Sequence, residues 1–271
     1  MTNSTSEAPL AEAYNRALAH EKAGELDAAA AAYHEVLALD PDDCGGAAVR
    51  LAAMGRGDVP DKAPDAYVAT LFDQHAEAFD DILVDQLGYD IPEKISARLR
   101  AIAPGPYERM LDLGCGTGLS GEQLQDICGH ITGVDLAENM VEIAYDKGDY
   151  DDLYVAEIVN FLQNPEEDPW DLILATDVLP YLGGLEDFFA GVANNLTSGG
   201  VFGFSSETLP PETFDGRSIM VGAKQRFAHA ESYVLDVLAQ NGFSCLEINP
   251  TTIRAEEGEP VPGHLVLARK D

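Results

Sequence analysis

Short apolar runs alternate with longer stretches of helical pattern from Met110 onward, and this alternation constrains the fold more than any other feature of the chain. Strands that alternate with helices build an α/β sheet in which most strands are parallel. The last two runs lack room for a helix between them, so we expect an antiparallel pair at one edge of the sheet. The seven predicted strands are residues 110–113, 131–134, 153–155, 172–175, 201–204, 243–248 and 264–268.

The chain before residue 61 has a helical pattern alone. Between Leu10 and Leu39 two short amphipathic stretches are broken at Gly24, and Pro41 stops the second, so the pattern predicts a helical hairpin. This segment resembles the tetratricopeptide repeat, although Ala13 and Ala17 replace the aromatic residue and the glycine usual in its first helix. The matching residues are Gly24, Leu26, Ala29, Tyr33, Leu37, Leu39 and Pro41.

Residues 44–54 resemble the first helix of a second repeat that is not completed, and residues 55–64, rich in Gly, Pro and Asp, read as a linker. We therefore predict an all-α region over residues 1–60 and an α/β domain over residues 61–271. The first part of that domain, residues 65–103, is predicted as a helical cover with helical stretches over residues 65–87 and 92–101. Because an isolated repeat cannot bury its own faces, the hairpin is expected to dock on the rest of the chain.

A glycine-rich segment, LDLGCGTG at 111–118, joins the first predicted strand to a helix. Gly114, Gly116 and Gly118 permit a tight turn and let a ligand lie against bare backbone at the carboxyl end of a strand. Asp112 lies two positions before the first of these glycines. Its carboxylate would repel a pyrophosphate and attract an ammonium or sulfonium group, so we expect a ligand with positive charge.

A second carboxylate, Asp135, ends the next predicted strand. In dinucleotide-binding folds a carboxylate at this position accepts the hydroxyl groups of a ribose. Together the two carboxylates predict a nucleoside ligand with a cationic tail. Asp112 on its own has a plain structural alternative, because an aspartate can simply cap a turn.

Five segments resemble, in order, the motifs of the class I S-adenosylmethionine-dependent methyltransferases. The resemblance covers residues 65–271, and the fusion to a repeat is similar to a bacterial group of predicted methyltransferases with tetratricopeptide repeats. It implies a Rossmann-like α/β fold with a seven-stranded, mainly parallel sheet of order 3-2-1-4-5-7-6 and an antiparallel last strand. It also implies S-adenosyl-L-methionine as cofactor and S-adenosyl-L-homocysteine as product. The segments are LDLGCGTG (111–118), GVDLAENM (133–140), VAEI (155–158), DLILATDVLPYL (171–182) and LTSGGVFGF (196–204).

The resemblance also implies a role for each matching position. The methionine part would be held by Asp112 and the backbone of the glycine-rich segment, and the ribose by Asp135. One face of the adenine would meet Leu136 and Met140, and its edge would meet Glu157 and the backbone of Ala156 and Ile158. The sulfonium would face Thr176, Asp177 and Tyr181 at the end of the fourth strand. Glu157 departs from the aspartate that is commoner in the family. The implied cofactor residues are Asp112, Gly114, Cys115, Gly116, Gly118, Asp135, Leu136, Met140, Ala156, Glu157, Ile158, Thr176 and Asp177.

Some of these residues have structural interpretations as well. Cys115 has no adjacent histidine or cation to activate its thiol, so we interpret it as a small side chain packed beside the cofactor. Leu136 and Met140 would be apolar on any amphipathic helix, and Tyr181 can simply roof the core.

His75, Tyr181 and His229 are the candidate catalytic residues. A base is needed only where the accepting O, N or S atom still carries a proton when attack begins. Both histidines have the alternative of an ordinary surface or core polar group. The resemblance implies a substrate lid formed by residues 207–227 and by the helices before the first strand. Phe72, Phe79 and Tyr89 would line this lid, and the core is the alternative place for the two phenylalanines. Glu207 and Arg226 would either pair with a charged substrate or be solvated.

The amino-acid composition indicates mainly which partners the protein would not bind. With 48 Asp and Glu against 16 Lys and Arg, the formal net charge is −32, which repels nucleic acids and anionic membranes. No apolar run is long enough to span a bilayer, and residues 1–9 lack the pattern of a signal peptide. The cysteines at 44, 115, 128 and 245 have no metal or disulfide spacing. We therefore expect a cytoplasmic protein without a metal site.

These observations favour a methyltransferase that acts on a small molecule. The alternatives are a protein methyltransferase, or a cofactor-binding module that the N-terminal repeat brings to a partner protein. A nicotinamide dehydrogenase is disfavoured, because the glycine spacing is G-x-G-x-G and Asp112 precedes it. The accepting atom and the oligomeric state stay open.

Overall fold

The structure is a computed structural model that describes residues 7–164 and 167–271. Most of the segment inspected for a signal peptide, and the start of the predicted N-terminal region, therefore lie outside the described residues. No helix in the described ranges is both long and apolar enough to cross a membrane.

Seven strands form one sheet in which the first five are parallel and the last is antiparallel to both of its neighbours. The order is β3-β2-β1-β4-β5-β9-β8. In the predicted order, 3-2-1-4-5-7-6, the last two strands were numbered 6 and 7. They are β8 and β9 in the structure, because two short strands that were not predicted, β6 and β7, form a separate ribbon after β5. The strands are β1 (Met110–Leu113), β2 (Ile131–Asp135), β3 (Asp152–Val155), β4 (Trp170–Ala175), β5 (Leu196–Glu207), β6 (Ile219–Val221), β7 (Phe227–His229), β8 (Phe243–Glu256) and β9 (Glu259–Lys270).

Helices cover both faces of the sheet, which explains why the central strands are continuous apolar runs. Every residue of β1 is buried, and so are five of the six residues of β4. The α-helices are α1 (Glu7–Lys22), α2 (Leu26–Leu39), α3 (Ala47–Ala53), α4 (Asp65–Asp73), α5 (Ile91–Ile102), α6 (Leu119–Leu124), α7 (Glu138–Lys147), α8 (Ile158–Gln163), α9 (Glu186–Asn195), α10 (Pro211–Phe214) and α11 (Glu231–Gln240).

The N-terminal helices α1 and α2 form the expected hairpin. Ala13 and Ala17 on the first helix and Ala29 and Tyr33 on the second are fully buried, and all four belong to one apolar cluster. Small side chains at these positions allow the two helices to approach closely, while the Tyr33 ring fills the remaining space.

The N-terminal region packs directly on the α/β domain. Val49 of α3 is fully buried and shares an apolar cluster with Val221 and Phe227 of the β6–β7 ribbon. The segment predicted as a linker is also held, because the carbonyl of Asp61 accepts hydrogen bonds from the amides of Gly183 and Gly184 at 2.8 and 3.0 Å. A side chain at Gly183 would place its Cβ 2.4 Å from the carbonyl oxygen of Pro60, so this close approach requires glycine.

The cover differs from the continuous helical stretch predicted for residues 65–87. Helix α4 is followed by a 3-10 turn, Ala76–Ala78, and a π-helical turn, Asp81–Gln86, before α5 begins. No residue of α4 is buried. The cover follows this broken path because two of its side chains are bonded to α7. Asp73 accepts a hydrogen bond from the amide of Asn139, and Asp80 pairs with Lys147.

Candidate functional site

A cavity lies at the carboxyl ends of β1 to β4, beneath the cover. The space within it is about 950 Å³, counted out to its opening. Its floor comes from the loops after the four strands, and its roof from residues of the linker and the cover between Lys62 and Pro92. Ligands of open α/β sheets bind at this edge. The aromatic side chains predicted for the substrate lid, Phe72, Phe79 and Tyr89, all lie in the roof.

The glycine-rich loop has the backbone conformation that its sequence predicts. Gly114, Gly116 and Gly118 have φ values of +68°, +52° and +95°, where side chains are disfavoured. A Cβ at Gly114 would lie 2.4 Å from Cγ2 of Val178, whereas a Cβ at Gly116 would meet nothing closer than the Phe79 ring at 4.0 Å. Gly114 is therefore needed for packing, and Gly116 leaves a space that a side chain would fill.

Asp112 is fully buried under this loop. Its Oδ2 accepts a hydrogen bond of 2.6 Å from the hydroxyl of Tyr150, and its Oδ1 is buried with no partner among the described residues. Burial, with the nearby charge of Asp135, raises the pKa of Asp112 to about 7. An unpaired buried carboxylate oxygen costs free energy, and a cationic ligand would supply the missing partner.

Asp135 lies at the end of β2 and is fixed by backbone groups. Its Oδ2 accepts from the amide of Gly116 and its Oδ1 from the amide of Ala137, each at 2.9 Å. Burial raises the pKa of Asp135, and the backbone hydrogen bonds offset part of this rise. Each oxygen keeps a second acceptor position, which the hydroxyl groups of a ribose fit.

The predicted adenine residues lie at the ends of β2 and β3. Leu136, Met140 and Ile158 line the cavity. Ala156 is not part of the lining, and its amide bonds instead to the carbonyl of Asp135 at 2.9 Å. Glu157 lines the cavity.

The Glu157 carboxylate is engaged twice. One oxygen caps α8 by accepting from the amide of Asn160 at 2.7 Å. The other lies 3.3 Å from Nζ of Lys62, which also pairs with Asp65 at 2.7 Å. Lys62 thus ties the predicted linker to the adenine side of the cavity.

Thr176, Asp177 and Tyr181 line the cavity after β4, as predicted. The hydroxyl of Thr176 lies 3.0 Å from that of Ser120. Asp177 has a φ of +59° and its amide donates to the hydroxyl of Ser205 at 2.8 Å, so it is held in a conformation that costs energy. The Tyr181 ring packs edge-on against Phe72, with centroids 5.3 Å apart.

The structure does not bring either predicted histidine to the cavity, which corrects the prediction of a histidine base. His75 is exposed, and its Nδ1 lies 2.8 Å from the carbonyl oxygen of Leu71. His229 is fully buried in β7 with its Nε2 3.0 Å from the carbonyl oxygen of Gly183, and burial lowers its pKa to about 4. His75 is therefore an ordinary surface residue and His229 a polar residue of the core, which is the alternative predicted for both from the sequence.

Glu207 and Arg226 are neither solvated nor free for a charged substrate. Nε of Arg226 bonds to Oε1 of Glu207 at 2.6 Å, and both side chains are mostly buried. They belong to a cluster of five charged residues that also contains Asp177, Arg254 and Glu256. Arg254 was not predicted as a site residue, because the predicted strand ended at Ile248 and the arginine lies beyond it on β8.

One group of possible metal ligands lies elsewhere, on the other end of β2 and β3. Single ligand atoms of His130, Asp152 and Glu167 lie within 4.8 Å of one another. Arg109 pairs with Glu167, and His130 Nε2 lies 2.8 Å from Asp152. Ion pairs within the protein therefore account for this group.

Comparison with known proteins gives a match in the centre of the chain. Residues 111–202 match the family described as "Methyltransferase domain". The matched segment contains the glycine-rich loop, both carboxylates Asp112 and Asp135, and the loop after β4.

Two curated relatives match part of the chain. The malonyl-[acyl-carrier protein] O-methyltransferase of Bacillus anthracis is 32% identical over 109 residues, 39% of this chain and 39% of its own length. The ubiquinone biosynthesis O-methyltransferase of Maricaulis maris is 32% identical over 101 residues, 35% of this chain and 40% of its own length. The chain thus spans about two fifths of each relative.

Solved structures share the fold of the α/β domain over most of their length. The N-methyltransferase NodS from Bradyrhizobium japonicum, in complex with S-adenosyl-L-homocysteine, has a TM-score of 0.58 at 19% identity, over 74% of this chain and 97% of its own. Magnesium protoporphyrin IX methyltransferase from Synechocystis, with bound S-adenosylhomocysteine, has a TM-score of 0.58 at 17% identity, over 76% and 99%.

The residues that line the cavity, with Asp112 buried beneath the glycine-rich loop, fit S-adenosylmethionine. The buried, unpartnered Oδ1 of Asp112 suits a cationic group, and the open side of Gly116 leaves room for a ligand against the backbone. The free acceptor positions of Asp135 suit a ribose. When bound, S-adenosylmethionine supplies a methyl group activated by a sulfonium.

Proposed function

We propose that the chain transfers a methyl group from S-adenosylmethionine to a small-molecule acceptor held under the cover. The observations that carry this proposal are the unpaired Oδ1 of Asp112, which is buried beneath the glycine-rich loop, and the cavity that this loop lines. Because the cover roofs this cavity, it suits a cofactor together with a small acceptor better than a macromolecular chain.

In this proposal the residues of the chain bind, orient and exclude water. Asp112 and the glycine loop hold the methionine part, Asp135 holds the ribose, and Leu136 and Met140 hold one face of the adenine. Phe72 and Phe79 in the roof keep water from the reacting atoms, which strengthens the electrostatic contacts inside. Displacement at an activated methyl group needs mainly alignment, so few catalytic groups are required.

Incubation with methyl-labelled S-adenosylmethionine tests the proposal. The full chain is supplied with a whole-cell extract, and the products are separated into small-molecule and macromolecular fractions. We expect label in the small-molecule fraction, and we expect Asp135→Ala to abolish it. Label confined to the macromolecular fraction would contradict a small-molecule acceptor.

The N-terminal region supports a second proposal of its own. We propose that residues 1–60 derive from a tetratricopeptide repeat, on the sequence spacing and on the packing of Ala29 and Tyr33 within the hairpin. A role in recruiting a protein acceptor has less support, because α3 is turned toward the β6–β7 ribbon. Affinity capture with the full chain, compared with a variant that has substitutions on the exposed face of α1, tests that role.

A further inference from the structure

The two ends of the cavity differ in charge and chemistry. Along the edge of the sheet Glu157 follows β3 and Asp177 follows β4, and the sheet order places two strands between them. Three strand spacings correspond to about 14 Å. If Glu157 marks the adenine end, Asp177 lies at the end where the acceptor enters.

Asp177 is held in place and yet reachable from the cavity. Nη1 of Arg254 donates to both of its oxygens, at 2.9 and 2.8 Å. The Arg254 side chain is 4% exposed, whereas that of Asp177 is 19% exposed and lines the cavity. Because one nitrogen serves both oxygens, each oxygen keeps an acceptor position for a ligand.

The charged groups around Asp177 come from three parts of the chain. Glu207 of β5, Glu256 of β8 and Arg226 before β7 complete the cluster with Arg254. Three carboxylates face two guanidinium groups, so the cluster has a net charge of −1 when all five groups are ionised. The phenols of Tyr89 and Tyr181 also face Asp177. Burial raises the pKa of Asp177, and the two arginines oppose that rise.

No free cation balances an anionic acceptor at this end. Lys62 is the one Lys or Arg among the described residues that line the cavity, and it is paired with Asp65 and Glu157 at the other end. A carboxylate or phosphate placed beside Asp177 would meet like charge in a buried setting, which is costly.

We infer that the Asp177 end of the cavity takes an acceptor whose reacting atom donates a hydrogen bond, a hydroxyl or an amine, and excludes a carboxylate or phosphate. This inference rests on the proposed methyl transfer. The acceptor O–H or N–H donates to Asp177, and its lone pair forms the new bond to the methyl carbon. The carbon–sulfur bond breaks with its electron pair passing to sulfur, and the proton passes to Asp177 and then to solvent.

Alkaline treatment of the labelled products tests whether the acceptor is a carboxylate. The full chain is incubated with methyl-labelled S-adenosylmethionine and a small-molecule cell extract, and the products are then treated with alkali. A methyl ester releases its label as methanol, whereas a methyl ether or a methylamine keeps it. We expect the label to stay in the product. Release of the label as methanol would overturn the inference while leaving methyl transfer intact.

Substitution of Asp177 gives the second readout. We expect Asp177→Asn to lower the rate of labelling by about a hundredfold, as removal of a proton acceptor does, with the Kd for S-adenosylmethionine changed less than threefold by calorimetry. Asp187→Asn is the matched control, because Asp187 is an exposed aspartate on α9. It should label at the rate of the unsubstituted protein.

Arg254 is a positioning residue in this account, and its conservative variant tests that role. Arg254→Lys should retain more labelling activity than Arg254→Met at equal cofactor affinity. Labelling by Asp177→Asn at the unsubstituted rate would overturn the inference. An absence of label from every product, with the cofactor bound, would overturn the proposed function and this inference with it.

Discussion

At the scale of single residues, the buried carboxyl of Asp112 connects the sequence motif to ligand chemistry. Its pKa of about 7 means that a change of pH near neutrality converts the neutral acid to the carboxylate. The neutral form prevails below that pH and attracts a cationic ligand less. Affinity for S-adenosylmethionine should therefore rise as the pH rises through about 7.

This pH dependence is a testable prediction. We expect the Kd for S-adenosylmethionine to fall by about tenfold between pH 6 and pH 8, because the ligand binds the ionised form of Asp112. Calorimetry over that range measures it. Asp112→Asn should bind more weakly and lose most of the pH dependence, while Asp187→Asn should keep it. Equal pH profiles for the two variants would contradict the role of Asp112.

Residues near the glycine loop were predictable, and more distant ones were not. Asp112 and Asp135 stand at fixed positions relative to strand ends, which the backbone pattern reveals. Tyr150 and Arg254 reach the site from other elements, and only the packing of the chain brings them there. His229 is a case in which the sequence misled. It was predicted as a candidate base next to the lid, but it is buried with its Nε2 beside the carbonyl oxygen of Gly183.

At the scale of elements, the glycine loop and the cover enclose the cavity from opposite sides. Gly116 and Gly148 offer a matched pair, because both have a positive φ and neither would place a Cβ within 3.9 Å of a neighbour. Alanine at either position should lower the free energy of unfolding by about 1 to 2 kcal/mol.

Only one of these two substitutions should affect cofactor binding. We expect Gly116→Ala to weaken the binding of S-adenosylmethionine at least tenfold, since its methyl group would take up space in the cavity. Gly148, at the carboxyl end of α7, does not line the cavity, so Gly148→Ala should bind as the unsubstituted protein does. Thermal unfolding and calorimetry on the same samples separate the two effects. Equal loss of affinity would contradict the assignment of the loop.

The cover is held to the domain by Asp80. Its Oδ2 pairs with Nζ of Lys147 at 2.6 Å, and its other oxygen accepts from the hydroxyl of Thr117. Both Asp80 and Lys147 are partly exposed, so the pair should contribute about 1 kcal/mol or less. Lys147→Met should therefore raise the dissociation rate of S-adenosylhomocysteine two- to fivefold in stopped-flow measurements. A slower dissociation would contradict the role of this pair.

At the scale of elements, too, some strands and helices could be predicted from the sequence and others could not. The central strands β1, β2 and β4 could be placed because buried strands are continuous apolar runs. The β6–β7 ribbon is too short for such a pattern, with three residues in each strand. The cover was expected to be helical throughout, but its bonds to α7 and to the glycine loop override that local pattern.

At the scale of the whole molecule, the N-terminal region and the α/β domain share buried surface. Val49 lies in one cluster with Val221 and Phe227, and a Cβ at Gly46 would lie 2.8 Å from the ring of Tyr67 on the cover. The acidic composition disfavours nucleic acids as partners, but nothing in it indicates this packing. The predicted linker was read from its Gly and Pro content, which does not reveal its bonds to Gly183 and Gly184.

This packing predicts that the described chain unfolds as one cooperative unit. Val49→Ala should destabilise it by about 2 kcal/mol, because a cavity is left in a fully buried cluster. Differential scanning calorimetry should show a single transition that moves down by several degrees. Two transitions, of which the substitution moves only the smaller, would contradict a shared core.

Calorimetric titration with S-adenosylmethionine tests the central claim most directly. The account predicts saturable binding with one site per chain, and a loss of at least a hundredfold in affinity for Asp135→Ala, which removes both acceptors for the ribose while Asp187→Asn binds normally. Absence of binding to the unsubstituted chain, or equal binding to Asp135→Ala, would contradict it.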